Sequence, residues 1–204
     1  MQANKNLIIL LGILTLISVL ISISGCVNPE SDACAGANVT KFGKSVEIIF
    51  ANETFEGIWN GKVMSGEKGE QAMDWYANQR GWTRIDDEKS PHSSGIDGIY
   101  KKSDKHYIFV EAKETSRKND YDTPLSTDAS YGPQMSDQWI EYHLVKINNS
   151  GLLTAFYDGD YEKLAVVYKI KDYPGSTITK DFADSLSSVG INNVVIIKQC
   201  GANT

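Results

Sequence analysis

The sequence predicts an α/β domain, a small mixed β-sheet flanked by helices, and three patterns predict it. Apolar runs of strand length recur at Ile96 to Tyr100, His106 to Glu114, Leu164 to Ile170 and Val194 to Lys198. Helical spacing of apolar residues marks Ser65 to Ala77, Gln138 to Leu144 and Thr179 to Ser188. The first two apolar runs are joined only by Lys101-Lys102-Ser103-Asp104-Lys105, a connection short enough for an antiparallel hairpin.

Val46 to Phe50 is a short apolar run, read as a first strand or an N-terminal helix. Ser65 is placed to cap the next helix, with Glu67 and Glu70 in its early turns and Gly81 as its stop. Gly69, Met73, Tyr76 and Ala77 recur at helical spacing and face the core. Trp82 to Ile85 reads as a strand, followed by a turn through Ser90-Pro91-His92. Thr115 to Tyr131 is polar and rich in turn residues, a loop over the end of the hairpin.

The N-terminal region carries Lys5, an apolar run from Leu7 to Ile23 and a lipobox-like Ile23-Ser24-Gly25-Cys26. A positive flank, an apolar core and a small-residue processing site are the parts of a secretion signal, here residues 1–25. Lipidation of Cys26 after cleavage is one reading. An uncleaved signal anchor is the other, since the run is near the lower limit of roughly 17 residues for spanning a bilayer. Both tether the remainder to the cell membrane, facing the exterior or periplasm. Residues 26–44 read as the tether and 45–204 as the domain. In that compartment Cys34 and Cys200 are expected to form a disulfide, worth about 5 kcal/mol in the loop-entropy account. Asn38, Asn52 and Asn148 each begin an N-glycosylation pattern.

A formal net charge of −6 argues against a protein that coats nucleic acid through a broad basic surface. It does not argue against one that cleaves nucleic acid with metal ions neutralising phosphate locally. Side chains alternate along a strand, so Glu111 and Lys113 share a face with Ala112 opposite, and the hairpin brings Asp97 beside them. Two carboxylates and a lysine at a strand end suit a divalent cation and phosphodiester hydrolysis. Asp97 and Glu111 supply hard oxygen ligands and the Ala112 backbone carbonyl another, which fits Mg²⁺ or Mn²⁺. Lys113 orients or deprotonates the attacking water, or holds the scissile phosphate.

Glu70, Gly95-Ile96-Asp97-Gly98 and Val110-Glu111-Ala112-Lys113, in that order, resemble the PD-(D/E)XK nuclease superfamily. The resemblance covers roughly Ser65 to Tyr142, with Ile96 where that family's motif has proline. It implies a restriction-endonuclease-like core, a central mixed sheet flanked by helices. It also implies a catalytic set of Glu70, Asp97, Glu111 and Lys113, with nucleic acid as substrate. Gln134-Met135-Ser136-Asp137-Gln138-Trp139-Ile140 looks like a motif of polymorphic-toxin nuclease domains, and Gln138 with Tyr142 matches a spacing of the RecB-like branch. The favoured substrate contact is Gln134, with Gln138 second.

Other chemistries find less support. His92, His106 and His143 lack ligand spacing, and there is neither a Gly-x-Ser-x-Gly elbow nor a phosphate-cradling loop with Lys-Ser/Thr. Trp59, Trp75, Trp82 and Trp139 read as packing residues rather than base-stacking platforms. Two functions follow: a membrane-anchored, exported, Mg²⁺-dependent nuclease, or a non-catalytic lipoprotein of the same fold acting as a surface binding module.

Overall fold

The computed structural model describes residues 36–51, 55, 58–59, 62–63, 66–86, 95–116, 121, 125–127, 130–170 and 178–199. Cys26, Cys34, Cys200, Asn52 and the apolar N-terminal run lie outside the described residues. Among the described residues no helix is long and apolar enough to cross a membrane.

In chain order the elements are β1 (Ala37–Lys41), β2 (Lys44–Ala51), β3 (Ile58–Trp59), β4 (Lys62–Val63), α1 (Glu67–Gln79), β5 (Thr83–Arg84), β6 (Gly98–Ser103), β7 (His106–Thr115), α2 (Asp137–Ile147), α3 (Ser150–Asp158), β8 (Tyr161–Lys169), α4 (Lys180–Ser188) and β9 (Asn193–Gln199). All but β3 and β4 join one seven-stranded sheet in the order β1-β2-β9-β8-β7-β6-β5. The middle strands β2, β9, β8 and β7 run parallel, and β1, β6 and β5 add antiparallel edges. The fold is therefore α/β with a mixed sheet. β8 is buried without interruption from Leu164 to Lys169, as a strand covered on both faces must be.

One layer is α1, whose Ala72, Met73, Tyr76 and Ala77 pack on Ile108, Val110, Ala112, Val166 and Val195. The opposite face carries Phe109, Ala165, Val167 and Ile196 under Trp139, Ile140 and Leu144 of α2, Leu152 of α3 and Phe182 and Leu186 of α4. The N-caps Ser136, Asn149 and Thr179 accept the amides of Trp139, Leu152 and Phe182, which sets where these helices start.

Several sequence expectations are refined. Val46 to Phe50 is a strand, part of β2, not a helix. The sheet reaches back to Ala37, into the stretch read as tether, because β1 finds pairing partners along β2. Ser65 lies outside the described residues, and α1 begins with a different cap. Its N-cap is Gly66, at a φ of 94° with no side-chain cap, and the Gly66 amide is satisfied instead by Glu114 of β7 at 3.1 Å. From Thr115 to Tyr131, Tyr121 and Leu125 are buried, so the stretch is anchored in the core at both.

Gly69 explains how closely α1 lies on β7. A Cβ there would sit 2.9 Å from the Lys113 carbonyl carbon and 3.0 Å from its oxygen, both backbone atoms with little room to yield. Gly69→Ala should therefore lower the thermal midpoint, overpacking costing ~1–3 kcal/mol against a helix-propensity gain of about 1 kcal/mol. Gly151→Ala on α3 meets only Asn149 Oδ1, at 3.4 Å, and should be neutral or stabilising. Melting curves of the two variants decide this; Gly69→Ala melting at or above the wild type would contradict the close approach.

Candidate active site

β6 and β7 form the expected hairpin, paired from Ser103↔His106 to Gly98↔Val110. There β6 begins, while β7 runs on to Thr115. Asp97 precedes the first residue of β6 and turns its carboxylate across the gap, accepting the Ala112 N–H at 2.9 Å. A strand residue directs its N–H and C=O to the same edge, so the Ala112 carbonyl faces that opening too. The carbonyl and the Asp97 carboxylate are thus brought to one place by the end of strand pairing.

Glu111 and Lys113 lie on the face of β7 opposite Ala112, as the alternation requires. Lys113 Nζ is 2.5 Å from Glu111 Oε1. The pair is close in charge but poorly directed, because neither Glu111 oxygen accepts a well-formed hydrogen bond. Glu111 is 1 % exposed. Burial, and then the adjoining Asp97 carboxylate, push its carboxyl up to about 8, with Lys113 opposing them. Glu111 is thus a buried carboxyl held largely protonated at neutral pH, with the Lys113 ammonium beside it. The donor set fits Mg²⁺ or Mn²⁺: Asp97, Glu111 and the Ala112 carbonyl are hard oxygens on one strand end. Among the described residues no group of three or more His, Cys, Asp or Glu is gathered, so the centre rests on two carboxylates.

Gln134 reaches this centre. Its Oε1 accepts from Lys113 Nζ at 3.4 Å and from the Ser126 amide at 3.2 Å. The next residue, Met135, is fully buried in the left-handed region at a φ of 68°, a conformation that costs a non-glycine residue energy. Lys163 of β8 holds it there, donating to the Met135 carbonyl at 2.9 Å and the Val189 carbonyl at 2.7 Å while pairing with Asp137 at 2.6 Å. Gln138 is exposed on α2, with its Oε1 beside Gly132. Of the two candidate glutamines, Gln134 is the one in contact with Lys113.

Glu70 comes from the other layer. α1 covers the face of Ala112, and its first turn is brought against the Lys113 backbone at Gly69. Glu70, the next residue of that turn, is half-buried.

The supports of this centre carry no sequence signal. Arg84 of β5 donates to the Asp97 carbonyl at 2.9 Å and pairs with Asp74 of α1 at 2.7 Å and Asp86 at 3.2 Å. Asp86 in turn accepts the Ile99 amide at 3.0 Å. This network fixes the backbone on either side of Gly98 and so aims the Asp97 carboxylate. The ion pairs hold the Arg84 guanidinium above its usual range although burial opposes them. No motif spacing marks these residues, because their partners come from three different elements.

Glu111 yields a prediction for the metal-free protein. The unfolded chain releases this proton near 4.5, whereas the folded protein keeps it to about 8. The native state then binds more protons across that window, so stability falls as pH rises from about 4.5 to about 8. Glu111→Gln should flatten that fall and melt above the wild type at the alkaline end. Melting temperatures across the range measure it; parallel curves for the two proteins would contradict the assignment.

Compared with models of protein families, with curated proteins and with solved structures, the chain matches none of them.

Proposed function

We propose that the chain is a membrane-anchored, exported nuclease of the PD-(D/E)XK type that hydrolyses phosphodiester bonds of DNA or RNA with Mg²⁺ or Mn²⁺. The observation that carries this reading is the pairing of Asp97 with a buried Glu111 whose oxygens lack well-formed hydrogen bonds, with the Lys113 ammonium 2.5 Å away. Export and anchoring rest on the Leu7 to Ile23 run and Cys26.

Asp97, Glu111 and the Ala112 carbonyl would hold the cation, which supplies charge neutralisation at phosphate and a water of lowered pKa. The chain's own groups do the rest. Lys113 is partly exposed where Glu111 is buried, so its ammonium faces the side from which a phosphate arrives. There it orients the attacking water or holds the scissile phosphate. Gln134 limits the ammonium's freedom by accepting one of its N–H groups. Glu70 adds a carboxylate from α1 at the rim.

The test is cleavage of single- and double-stranded DNA and RNA by the purified exported domain, with Mg²⁺, with Mn²⁺ and with chelator. Cation-dependent cleavage is expected, and Lys113→Ala should lower it by at least roughly a hundredfold without loss of folding. Undiminished cleavage by Lys113→Ala would remove this residue from the chemistry. No cleavage of any substrate, together with no cation binding, would overturn the nuclease reading in favour of a non-catalytic surface binding module.

A further inference from the structure

Tyr131, on the loop that supplies Gln134, is stacked on a neighbouring ring. Its ring lies on that of Tyr142 from α2, with centroids 3.3 Å apart and planes 15° apart. Lys146 Nζ is 4.0 Å from the centroid of the Tyr142 ring. Lys146 and Tyr131 therefore both contact Tyr142, and the Tyr131 ring is stacked rather than loose. Tyr131 is 41 % exposed, although its ring is apolar and held in place.

The loop is shaped to present it. Gly132 has a φ of 99°, and a Cβ there would meet Ser136 Oγ at 3.1 Å, so the chain turns sharply just after Tyr131. Three residues then lead to Gln134, a span of at most about 11 Å. Tyr131 is thus carried on the same short segment as Gln134, which contacts Lys113, so its backbone lies within that reach of the residue at the centre. A flat, exposed, pre-positioned aromatic ring beside a phosphate site has the form of a stacking surface for a base. In a duplex both faces of a base are covered by its neighbours, so the surface serves only an unpaired base.

We propose that Tyr131 stacks an unpaired nucleobase adjoining the scissile phosphate, which makes single-stranded nucleic acid the preferred substrate. This rests on the nuclease reading above and adds the class of strand.

The experiment compares binding of a fluorescent oligothymidylate with that of an abasic strand of equal length and charge, with Ca²⁺ replacing Mg²⁺. The wild type should bind the base-bearing strand roughly tenfold more tightly, the order of one base–aromatic stack. Tyr131→Ala should abolish that ratio while leaving abasic affinity and the melting temperature unchanged, and Tyr131→Phe should restore it. A wild type without preference for bases overturns the proposal, as it would if the ring instead docked a protein. So does a ratio that survives in Tyr131→Ala. Either result, obtained with a protein that still cleaves nucleic acid, leaves the nuclease reading standing. A wild type that neither binds nor cleaves any strand removes both.

Discussion

Burying the Glu111 carboxyl beside that of Asp97 is the placement around which this end of the sheet is organised. A carboxylate taken out of water costs several kcal/mol unless it is paired and hydrogen-bonded. Here the neighbouring Asp97 makes ionisation harder and Lys113 makes it easier, and the first effect, added to burial, prevails. The metal-free protein answers by keeping a proton. A divalent cation would reverse that balance, because a dominant positive charge favours the ionised form. In the proposed account, the stability lost at this position is what a cation-binding site requires.

The rest of the fold keeps the two carboxyls from relaxing apart. On one side β7 is zipped to β8 from Tyr107↔Tyr161 to Thr115↔Lys169, so Glu111 cannot shift without moving the central strand. On the other, Arg84 holds the Asp97 backbone, and Asp86 holds Ile99. Beneath, α1 is drawn onto the strand end by the contact at Gly69 and by Glu114, whose carboxylate accepts the Gly66 amide just before the helix. Above, Lys163 ties the strained Met135 turn to α4's end through Val189, which leaves Gln134 against Lys113. The supports come from several elements, as rigid placement of a small charged cluster demands.

Much of this was legible in the sequence, for reasons that can be named. The period of two along β7 is a property of any strand, so Glu111 and Lys113 on one face followed from their spacing alone. The short lysine-rich connection required the hairpin, and the hairpin required Asp97 to come near. What escaped notice depends on contacts distant in sequence. α3 has no separate signal in the sequence; Asn148 closes α2 in the left-handed region and Asn149 caps α3 immediately after it. β1 is exposed along most of its length and carries no strand pattern; it exists because β2 offers it an edge. Ser65 looked like a cap since caps are usually side chains, whereas the amide at Gly66 is satisfied by a carboxylate distant in the chain. The role of Arg84 was invisible for the same reason.

In the proposed account Glu111 is a neutral acid until a cation binds, and proton release reports that directly. Calorimetric titration of Mn²⁺ into the protein at pH 7, in buffers of different ionisation enthalpy, counts the protons expelled on binding. Since Glu111 holds its proton to about 8, binding should release close to one proton. Glu111→Gln should release none and bind more weakly. Binding without proton release, or a wild type that binds no cation at all, would contradict the account.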